Sequence, residues 1–343
     1  MTRVTIKDIA RHTELSVSTV SLVLNNKVHR ISEQTRKKVL QAANELGYRP
    51  NQLAKGLVTK RTNTVGLIIP DVTNVFFSAT AKIIQAKCRN SGYNMFLCNT
   101  NDDPEKDIEY INALTDRGVD GVLLAFATRS GVNKAAECCE IMSLLGKPLV
   151  LIDRTVPNIS APSVLVDHET GGYLATRHLL ELGHRKIGCI AGPMSLYSSK
   201  QRFYGYIRAL QEFGVAFDPA LVQESEFHIL SDYGILQALL ERQATAIFAY
   251  NDLIAYGVYQ QALQHGLMIP RDFSLVGFDD QPFSKLMGVP LTTVSQPVDE
   301  MCETAASLLL KMMEDGDPQP HEDILFPPRL VKRESAVGLR LDV

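Results

Sequence analysis

Polar side chains that suit a small polar ligand follow several short apolar segments of the chain. Asp153 comes after residues 149–152, Asn251 comes after residues 246–250, and Asp279 comes after residues 274–278. Carboxylates and amides can each bind hydroxyl groups, and nearby aromatic rings can cover the apolar face of a ligand. If the apolar segments are parallel strands, these side chains lie at the carboxyl edge of a sheet, where α/β proteins bind ligands. The pattern therefore predicts a binding site.

Catalytic and cofactor motifs are missing from the same sequence. It has no G-x-x-x-x-G-K-[ST], no G-x-G-x-x-G after the first strand, no G-x-S-x-G and no H-E-x-x-H. His168 and Glu169 are adjacent, but no second histidine follows at metal spacing. Acidic neighbours such as Asp279 and Asp280 do not face each other in a catalytic way by default. We therefore expect no enzyme activity, no cofactor and no metal ion.

The elements that must position these side chains begin near residue 62. Apolar segments that predict strands lie near residues 64–69, 95–98, 121–124 and 149–152, with helical stretches between them. The pattern restarts near residue 163, and strands are predicted near 187–191, 246–249 and 274–278. Such alternation predicts parallel sheets with helices on both faces. The restart predicts two lobes with a cleft between them.

The first 57 residues carry a different pattern, which predicts two short helices, a tight turn and a third helix. Ser32 suits the N-cap of the third helix, and Gly47 suits its end. The second helix directs small residues outward, as a helix that enters the major groove of DNA requires. These outward residues are Val17, Ser18, Ser21, Leu22 and Asn25, and the apolar stripes comprise Ile6, Ile9, Ala10, Val20, Val23, Leu24, Val39, Ala43 and Leu46. This is the inventory of a helix-turn-helix domain.

The charge is distributed unevenly along the chain. Residues 1–61 hold 12 Lys and Arg against 4 Asp and Glu, a net charge of +8. Residues 62–343 hold 23 against 34, a net charge of −11. A basic head on an acidic body indicates that only the head has a polyanionic partner.

The bulk composition limits the class of protein. A length of 343 residues predicts two or three domains, and 45% hydrophobic residues allow a large core. The amino terminus lacks a long apolar run, so we expect no signal peptide, no membrane span and a cytoplasmic location. No cysteines have C-x-x-C spacing, and we expect most of them to be reduced core residues. They are Cys88, Cys98, Cys138, Cys139, Cys189 and Cys302.

The head resembles that of the LacI/GalR family of bacterial transcription regulators, and the resemblance extends over the whole chain. It implies that residues 51–57 form a hinge helix on operator DNA, with Leu57 as a wedge in the minor groove. Many members carry arginine at the position of Leu22, and leucine can contact only apolar base edges such as the thymine methyl group. The implied DNA-binding residues are Thr5, Val17, Ser18, Thr19, Ser21, Leu22, Asn25, Ser32, Thr35, Tyr48, Asn51, Ala54, Lys55 and Leu57.

The resemblance also implies a small-molecule effector in the cleft. Arg202, Asn251 and Asp279 match effector contacts of the family, and the further pocket positions are Phe76, Phe77, Asp153, Ser198 and Phe227. We expect a sugar or sugar derivative, because Phe76 and Phe227 could offer ring faces between the polar groups. Arg154 suits either this site or an ion pair that bridges the lobes.

The implied fold class is α/β, with an N-terminal three-helix helix-turn-helix head and a two-lobed periplasmic-binding-protein-like body (type I-type regulator core) with parallel sheets. We expect the head at residues 1–50 and a hinge helix or linker at 51–61. The N-terminal lobe is expected at 62–163 plus 293–320, and the C-terminal lobe at 164–292 plus 321–343. A homodimer is expected because one head has little contact area, and a tetramer is not, because no heptad-repeat tail follows.

The sequence therefore predicts a sequence-specific transcription regulator, a repressor that a sugar-like effector releases from its operator. One alternative is a regulator that a nucleobase co-repressor activates. Family members that bind purines carry a second arginine where this chain has Leu196, which disfavours that alternative. The other alternative is a sugar-binding or sugar-processing α/β protein with a fused DNA-binding head. Neither a catalytic motif nor a signal peptide supports it.

Overall fold

A computed structural model describes residues 4–25, 31–48, 61–128, 131–156, 158–315 and 323–339. The chain divides into two compact units, residues 1–62 and residues 63–343. The first unit is the head and the second is the α/β body.

Three helices form the described part of the head: α1 (Ile6–Thr13), α2 (Val17–Leu24) and α3 (Glu33–Glu45). Ser16 caps α2 by accepting a bond from the Thr19 amide at 3.1 Å, and Ser32 caps α3 by accepting one from the Thr35 amide at 3.2 Å. These side chains satisfy amides that have no partner within their helix. The predicted cap of α3 is therefore confirmed.

The head buries the apolar stripes that the sequence predicts. Its core contains Ile9, Ala10, Val20, Val23, Val39, Ala42 and Ala43, and Ile6, Leu24 and Leu46 pack against this core while partly exposed. Gly47 has a φ of +64°, a left-handed conformation that ends α3 and that glycine adopts without strain.

Two six-stranded sheets form the body, and each defines one lobe. The sheet of the first lobe has the order β11-β5-β4-β3-β1-β2, and that of the second lobe has the order β12-β10-β9-β8-β6-β7. The strands are β1 (Thr64–Ile69), β2 (Asn94–Asn99), β3 (Gly121–Leu124), β4 (Leu149–Ile152), β5 (Ser163–Val166), β6 (Ile187–Ala191), β7 (Val222–Glu224), β8 (Ala246–Ala249), β9 (Ser274–Asp279), β10 (Thr292–Ser295), β11 (Asp323–Phe326) and β12 (Arg329–Val331). The pairing is parallel throughout the first sheet, whereas β12 pairs antiparallel with β10 in the second.

Helices cover these sheets. The first lobe contains α4 (Val75–Asn90), α5 (Glu105–Asp116), α6 (Val132–Leu144) and α11 (Val298–Asp315), and the second contains α7 (His168–Glu181), α8 (Tyr197–Glu212), α9 (Tyr233–Glu241) and α10 (Asp252–Gln264). The central strands β3, β4, β6 and β8 are fully buried, as their continuous apolar composition predicts. Within the ranges given above, no helix combines the length and apolar character needed to cross a membrane.

The chain passes between the lobes three times: after β5, after β10 and after β11. This corrects the lobe boundaries expected from the sequence. Residues 164–166 and β11 belong to the first lobe, and residues 293–295 belong to the second. The expected boundaries differ because each passage follows the end of a strand, whereas two expected boundaries lie inside β5 and β10 and the third lies before β11.

Candidate functional site

The outward face of α2 carries the residues expected to contact DNA. Val17 and Leu22 are 46% and 43% exposed, although both side chains are apolar. Asn25 donates to the carbonyl oxygen of Ser21 at 2.9 Å, which directs its amide along the same helix. An exposed surface of hydroxyls, one amide and short apolar groups can read base edges in the major groove.

The other predicted DNA contacts differ in how exposed they are. Thr5, Ser18 and Ser32 are exposed, whereas Thr19, Ser21, Thr35 and Tyr48 are partly buried. Asn51, Ala54, Lys55 and Leu57 lie outside the described residues, so the hinge helix and the Leu57 wedge stay predictions.

A cleft in the body brings together every residue predicted for effector binding. Its lining includes Phe76, Phe77, Asp153, Ser198, Arg202, Phe227, Asn251 and Asp279. Asn74, Arg154 and Gln296 also line it, and the sequence did not assign Asn74 or Gln296 to the site. The cavity volume is about 30 Å³, so a ligand larger than a few water molecules must rearrange these side chains or separate the lobes.

Arg202 is the cation at the centre of this cleft, and only 4% of it is exposed. Its Nη1 donates to the backbone carbonyl of Tyr250, and its Nε and Nη2 lie 3.4 and 3.3 Å from Nδ1 of His168. Burial lowers the pKa of Arg202, and the charges of Asp279 and Asp153 act in the opposite direction. Burial and the charge of Arg202 lower the pKa of His168 well below its usual value, so His168 is neutral and can accept these bonds.

Asp279 ends β9 in the second lobe, and two glutamine amides face its two carboxylate oxygens. Gln296 Nε2 donates to Oδ1 at 2.6 Å, and Gln281 Nε2 lies 3.5 Å from Oδ2. Burial raises the pKa of Asp279 to about 8, despite the opposing charge of Arg202. Burial also raises the pKa of Asp153. The cleft therefore holds one carboxyl group, that of Asp279, that retains its proton near neutral pH and can donate as well as accept hydrogen bonds.

Backbone strain occurs at these strand ends. Asp153 has a φ of +64° and Asp279 a φ of +118°, both in the region that side chains disfavour. Such conformations persist where the surrounding structure holds them, and they are frequent at functional sites.

Asn251 and Asp252 connect α10 to the cleft. Asn251 Oδ1 accepts from the Ile254 amide at 2.8 Å and caps the helix. The buried Asp252 accepts from Thr293 Oγ1 at 2.6 Å and from the Gln281 amide at 2.8 Å. Burial raises the pKa of Asp252 to about 6, while these bonds oppose that rise. Asp252 thus holds the ends of β9 and β10 in register beside the cleft.

Arg154 remains within the first lobe. Its Nη1 lies 2.8 Å from Asp102 Oδ1 and donates to the Phe126 carbonyl at 3.0 Å. Its Cζ is 5.3 Å from the centroid of the Phe77 ring. The charge of Arg154 lowers the pKa of Asp102 against the opposing effect of burial. Because Asp102 also belongs to the first lobe, the ion pair does not bridge the lobes.

Hydrogen bonds do cross between the lobes near the cleft. Gln281 Nε2 lies 3.4 Å from Asn74 Oδ1, and Ser195 Oγ lies 3.5 Å from the Thr128 carbonyl oxygen. Both bonds are long, so they hold the lobes together only weakly. Sequence reasoning missed Gln281, because nothing in its local pattern distinguishes it from a surface glutamine.

Comparisons with known proteins agree with this architecture. Residues 5–51 match the profile of bacterial regulatory proteins of the lacI family, and residues 176–336 match a periplasmic binding protein-like domain. The chain is 36% identical over 338 residues to the transcriptional regulator DegA of Bacillus subtilis, with 98% of this chain and 99% of DegA covered. It is 34% identical to the repressor PurR of Aliivibrio salmonicida, covering 96% and 98%, and 37% identical to the ribose operon repressor of Halalkalibacterium halodurans, covering 97% of each chain.

Solved structures show the same likeness. A lac repressor dimer bound to operator and an anti-inducer superposes with a TM-score of 0.86 at 26% identity, covering 98% of this chain and 100% of that chain. A LacI family regulator from Enterococcus faecium with bound ribose has a TM-score of 0.72 at 32% identity, covering 81% and 100%. The chain therefore belongs to the LacI family of bacterial regulatory proteins, and it is a DNA-binding transcriptional regulator and not an enzyme.

Proposed function

We propose that this regulator is a repressor that an uncharged, sugar-like effector releases from its operator, and that the effector binds in the cleft between the lobes. One observation carries the proposal. Arg202, Asn251 and Asp279 of the second lobe converge with Asp153, Phe76 and Phe77 of the first lobe on a single cavity. This is the combination of polar groups and ring faces that a sugar requires.

The charges in the cleft favour an uncharged effector over a sugar phosphate. Arg154 is already paired with Asp102, which leaves Arg202 to face two carboxyl groups, Asp153 and Asp279. A phosphate would have to be buried as a charged group beside Arg202, whose N–H donors already face the Tyr250 carbonyl and His168. The ribose bound to the Enterococcus faecium regulator supports the same class of ligand.

The response follows from linkage between the two units of the chain. An effector that binds one arrangement of the lobes more tightly shifts the population toward that arrangement. If that arrangement binds operator less well, effector weakens DNA binding, and DNA weakens effector binding by the same factor. We further infer that the chain acts as a two-fold dimer on a near-palindromic operator, as the likeness to the lac repressor dimer suggests.

A ligand screen tests this function. We would select an operator from random DNA with the full chain and then measure thermal stability with D-ribose, cellobiose, D-xylulose, polyols, sugar phosphates and purines. We expect an uncharged sugar to stabilise the chain and to lower operator affinity in a gel shift. A purine that stabilises the chain and tightens operator binding, with no response to any sugar, would instead favour the co-repressor alternative.

A further inference from the structure

Gln281 occupies a position at which the two lobes meet beside the cleft. It directly follows the Asp279-Asp280 pair and is only 4% exposed. Its Nε2 lies 3.4 Å from Asn74 Oδ1 in the first lobe and 3.5 Å from Asp279 Oδ2 in the second. Its backbone amide donates to Asp252 Oδ2 at 2.8 Å, which fixes the main chain at this residue. The side chain can therefore move between two acceptors while its backbone stays in place.

The neighbours of this carboxamide determine its orientation. Asn74 Oδ1 accepts from the Phe76 amide at 3.0 Å, so it is an oxygen, and Asp279 Oδ2 is a carboxyl oxygen. A flipped Gln281 would place its own oxygen against the oxygen of Asn74, which is unfavourable. In the adopted orientation, Oε1 is buried and has no hydrogen-bond partner among the described residues.

The two bonds of Gln281 compete because neither is at its best length. An amide donor usually lies about 2.9–3.0 Å from its acceptor, so distances of 3.4 and 3.5 Å leave both bonds weak. Gln296 already occupies Asp279 Oδ1 at 2.6 Å. A ligand hydroxyl that approaches Oδ2 of Asp279 therefore competes with Gln281.

On the side of the first lobe, Asn74 connects this contact to helix α4. It caps α4 through Phe76, and the first turn of α4 supplies Phe76 and Phe77 to the cleft. Further along, α4 packs against α11, the helix that follows one of the passages between the lobes. A displacement of the Asn74 side chain thus acts on the amino-terminal end of α4, a helix that extends across the first lobe.

We propose that Gln281 couples ligand binding at Asp279 to helix α4: a hydroxyl at Asp279 displaces the Gln281 amide toward Asn74, and the shorter bond draws the lobes together. Gln281 is then a positioning residue for the closed arrangement. This role of Gln281 rests on the proposed function, because the cleft is taken as the effector site. Ligand binding in the cleft does not by itself require Gln281 to couple the ligand to α4.

Three variants isolate this contact in the full chain. Gln281→Met removes both hydrogen-bonding groups at nearly constant volume. Asn74→Ser keeps an N-cap oxygen for α4 but is too short to meet Gln281. Gln237→Met is the control, because Gln237 is an exposed residue of α9 that donates to Glu241 of the same helix at 2.8 Å.

The first measurement needs no ligand. We expect hydrogen exchange at the amides of residues 76–78 to be at least three-fold faster in Gln281→Met than in the wild type and unchanged in Gln237→Met. In the double variant, exchange at these amides should be no faster than in Asn74→Ser alone, because both substitutions remove the same contact. Unchanged exchange in Gln281→Met, or fully additive effects, would overturn the proposal whether or not a sugar binds.

The second measurement uses D-ribose as the probe. In the wild type, saturating D-ribose should slow exchange at residues 76–78, whereas Gln281→Met should bind D-ribose in calorimetry without this slowing. Equal slowing in both proteins would show that Gln281 does not carry the coupling. If D-ribose does not bind the wild type, the failure belongs to the proposed effector, and the ligand-free measurement alone decides the role of Gln281.

Discussion

The guanidinium of Arg202 lies over the ring of Phe278, with Cζ 3.7 Å from the ring centroid. The ring face stabilises the buried cation, and the planar group still directs its N–H donors toward Tyr250 and His168. A ligand that binds Arg202 must therefore replace bonds that already exist. Affinity at this site depends on how well hydroxyl groups substitute for a backbone carbonyl and a neutral imidazole.

Removing any of the three central polar groups should abolish the effector response. Arg202→Ala, Asn251→Ala and Asp279→Ala each leave partners of the ligand unpaired, and we expect effector affinity to fall roughly 10- to 100-fold. Operator affinity without effector should stay largely intact, because the head provides the DNA contacts. Calorimetry and gel shifts measure the two quantities. Variants that bind effector like the wild type would show that the site lies elsewhere.

Stability should depend on pH through Asp279. Its folded pKa of about 8 exceeds the ordinary value of 3.8, so the folded chain retains a proton that the unfolded chain releases. This contribution to stability is fully present below about pH 4 and is lost as pH rises toward 8. Between pH 5 and 8, the wild type should lose more stability than Asp279→Asn in urea unfolding.

Asp299, an exposed aspartate on α11, offers the matched control for this experiment. Asp299→Asn should reproduce the pH dependence of the wild type. If the unfolding free energies of the wild type and Asp279→Asn change in parallel between pH 5 and 8, then Asp279 is ionised in the folded chain over that whole pH range.

Gly172 on α7 should not tolerate a side chain. A Cβ atom there would overlap the carbonyl oxygen of Arg202 on α8, so the two helices must separate to admit it. We expect Gly172→Ala to cost about 1–3 kcal/mol of unfolding free energy and to displace Arg202, with a weaker effector response. Gly131→Ala is the control, since a Cβ atom at Gly131 meets nothing within 4 Å. Equal stabilities of the two variants would contradict this packing.

DNA binding should reside in the basic head and depend steeply on salt. A truncated chain that begins at Arg61 should keep its fold and effector binding but lose operator binding. For the full chain, operator affinity should fall by about 10³-fold or more between 50 and 200 mM salt if six or more phosphates are contacted. Gel shifts at several salt concentrations measure both effects. Undiminished specific binding by the truncated chain would refute the assignment.

Dimer formation should depend on apolar side chains that the body leaves exposed. Phe96 and Leu97 on the edge strand β2 are each 44% exposed. We expect Phe96→Glu to weaken self-association at least ten-fold in sedimentation experiments. Leu144→Glu, at a 79% exposed position of α6, should have no such effect. A wild-type chain that remains monomeric with operator, or that forms a stable tetramer, would be inconsistent with the symmetric dimer.

The sequence predicted the elements that have a strong local signal. The caps and core of the head follow from Ser32, Val39 and their neighbours, and long apolar strands such as β4 and β6 follow from composition. The strands β5, β7, β10, β11 and β12 escaped prediction. In β7, β11 and β12, three or four residues that are not fully buried carry no clear period. Their pairing depends on strands far away in the chain.

The candidate site divides in the same way. Asp153, Asn251 and Asp279 could be predicted because they follow strands directly. Gln296 and Gln281 could not, since their position beside Asp279 depends on how β10 and the turn after β9 pack together. The sequence left two roles open for Arg154, a site residue or a bridge between the lobes. The choice depends on the location of its partner Asp102, which the sequence does not reveal.

The threefold passage of the chain between the lobes also constrains the order in which the protein can form. The edge strands β11 and β12 come from residues 323–326 and 329–331, although they complete sheets whose other strands begin at residues 64 and 187. A ribosome must therefore synthesise residue 326 before the first sheet, and residue 331 before the second sheet, has all its strands. Until then, β5 and β10 each present an unpaired edge, a known template for aggregation. The two lobes, unlike the head, should reach their final structure together and only after residues 323–331 have been synthesised.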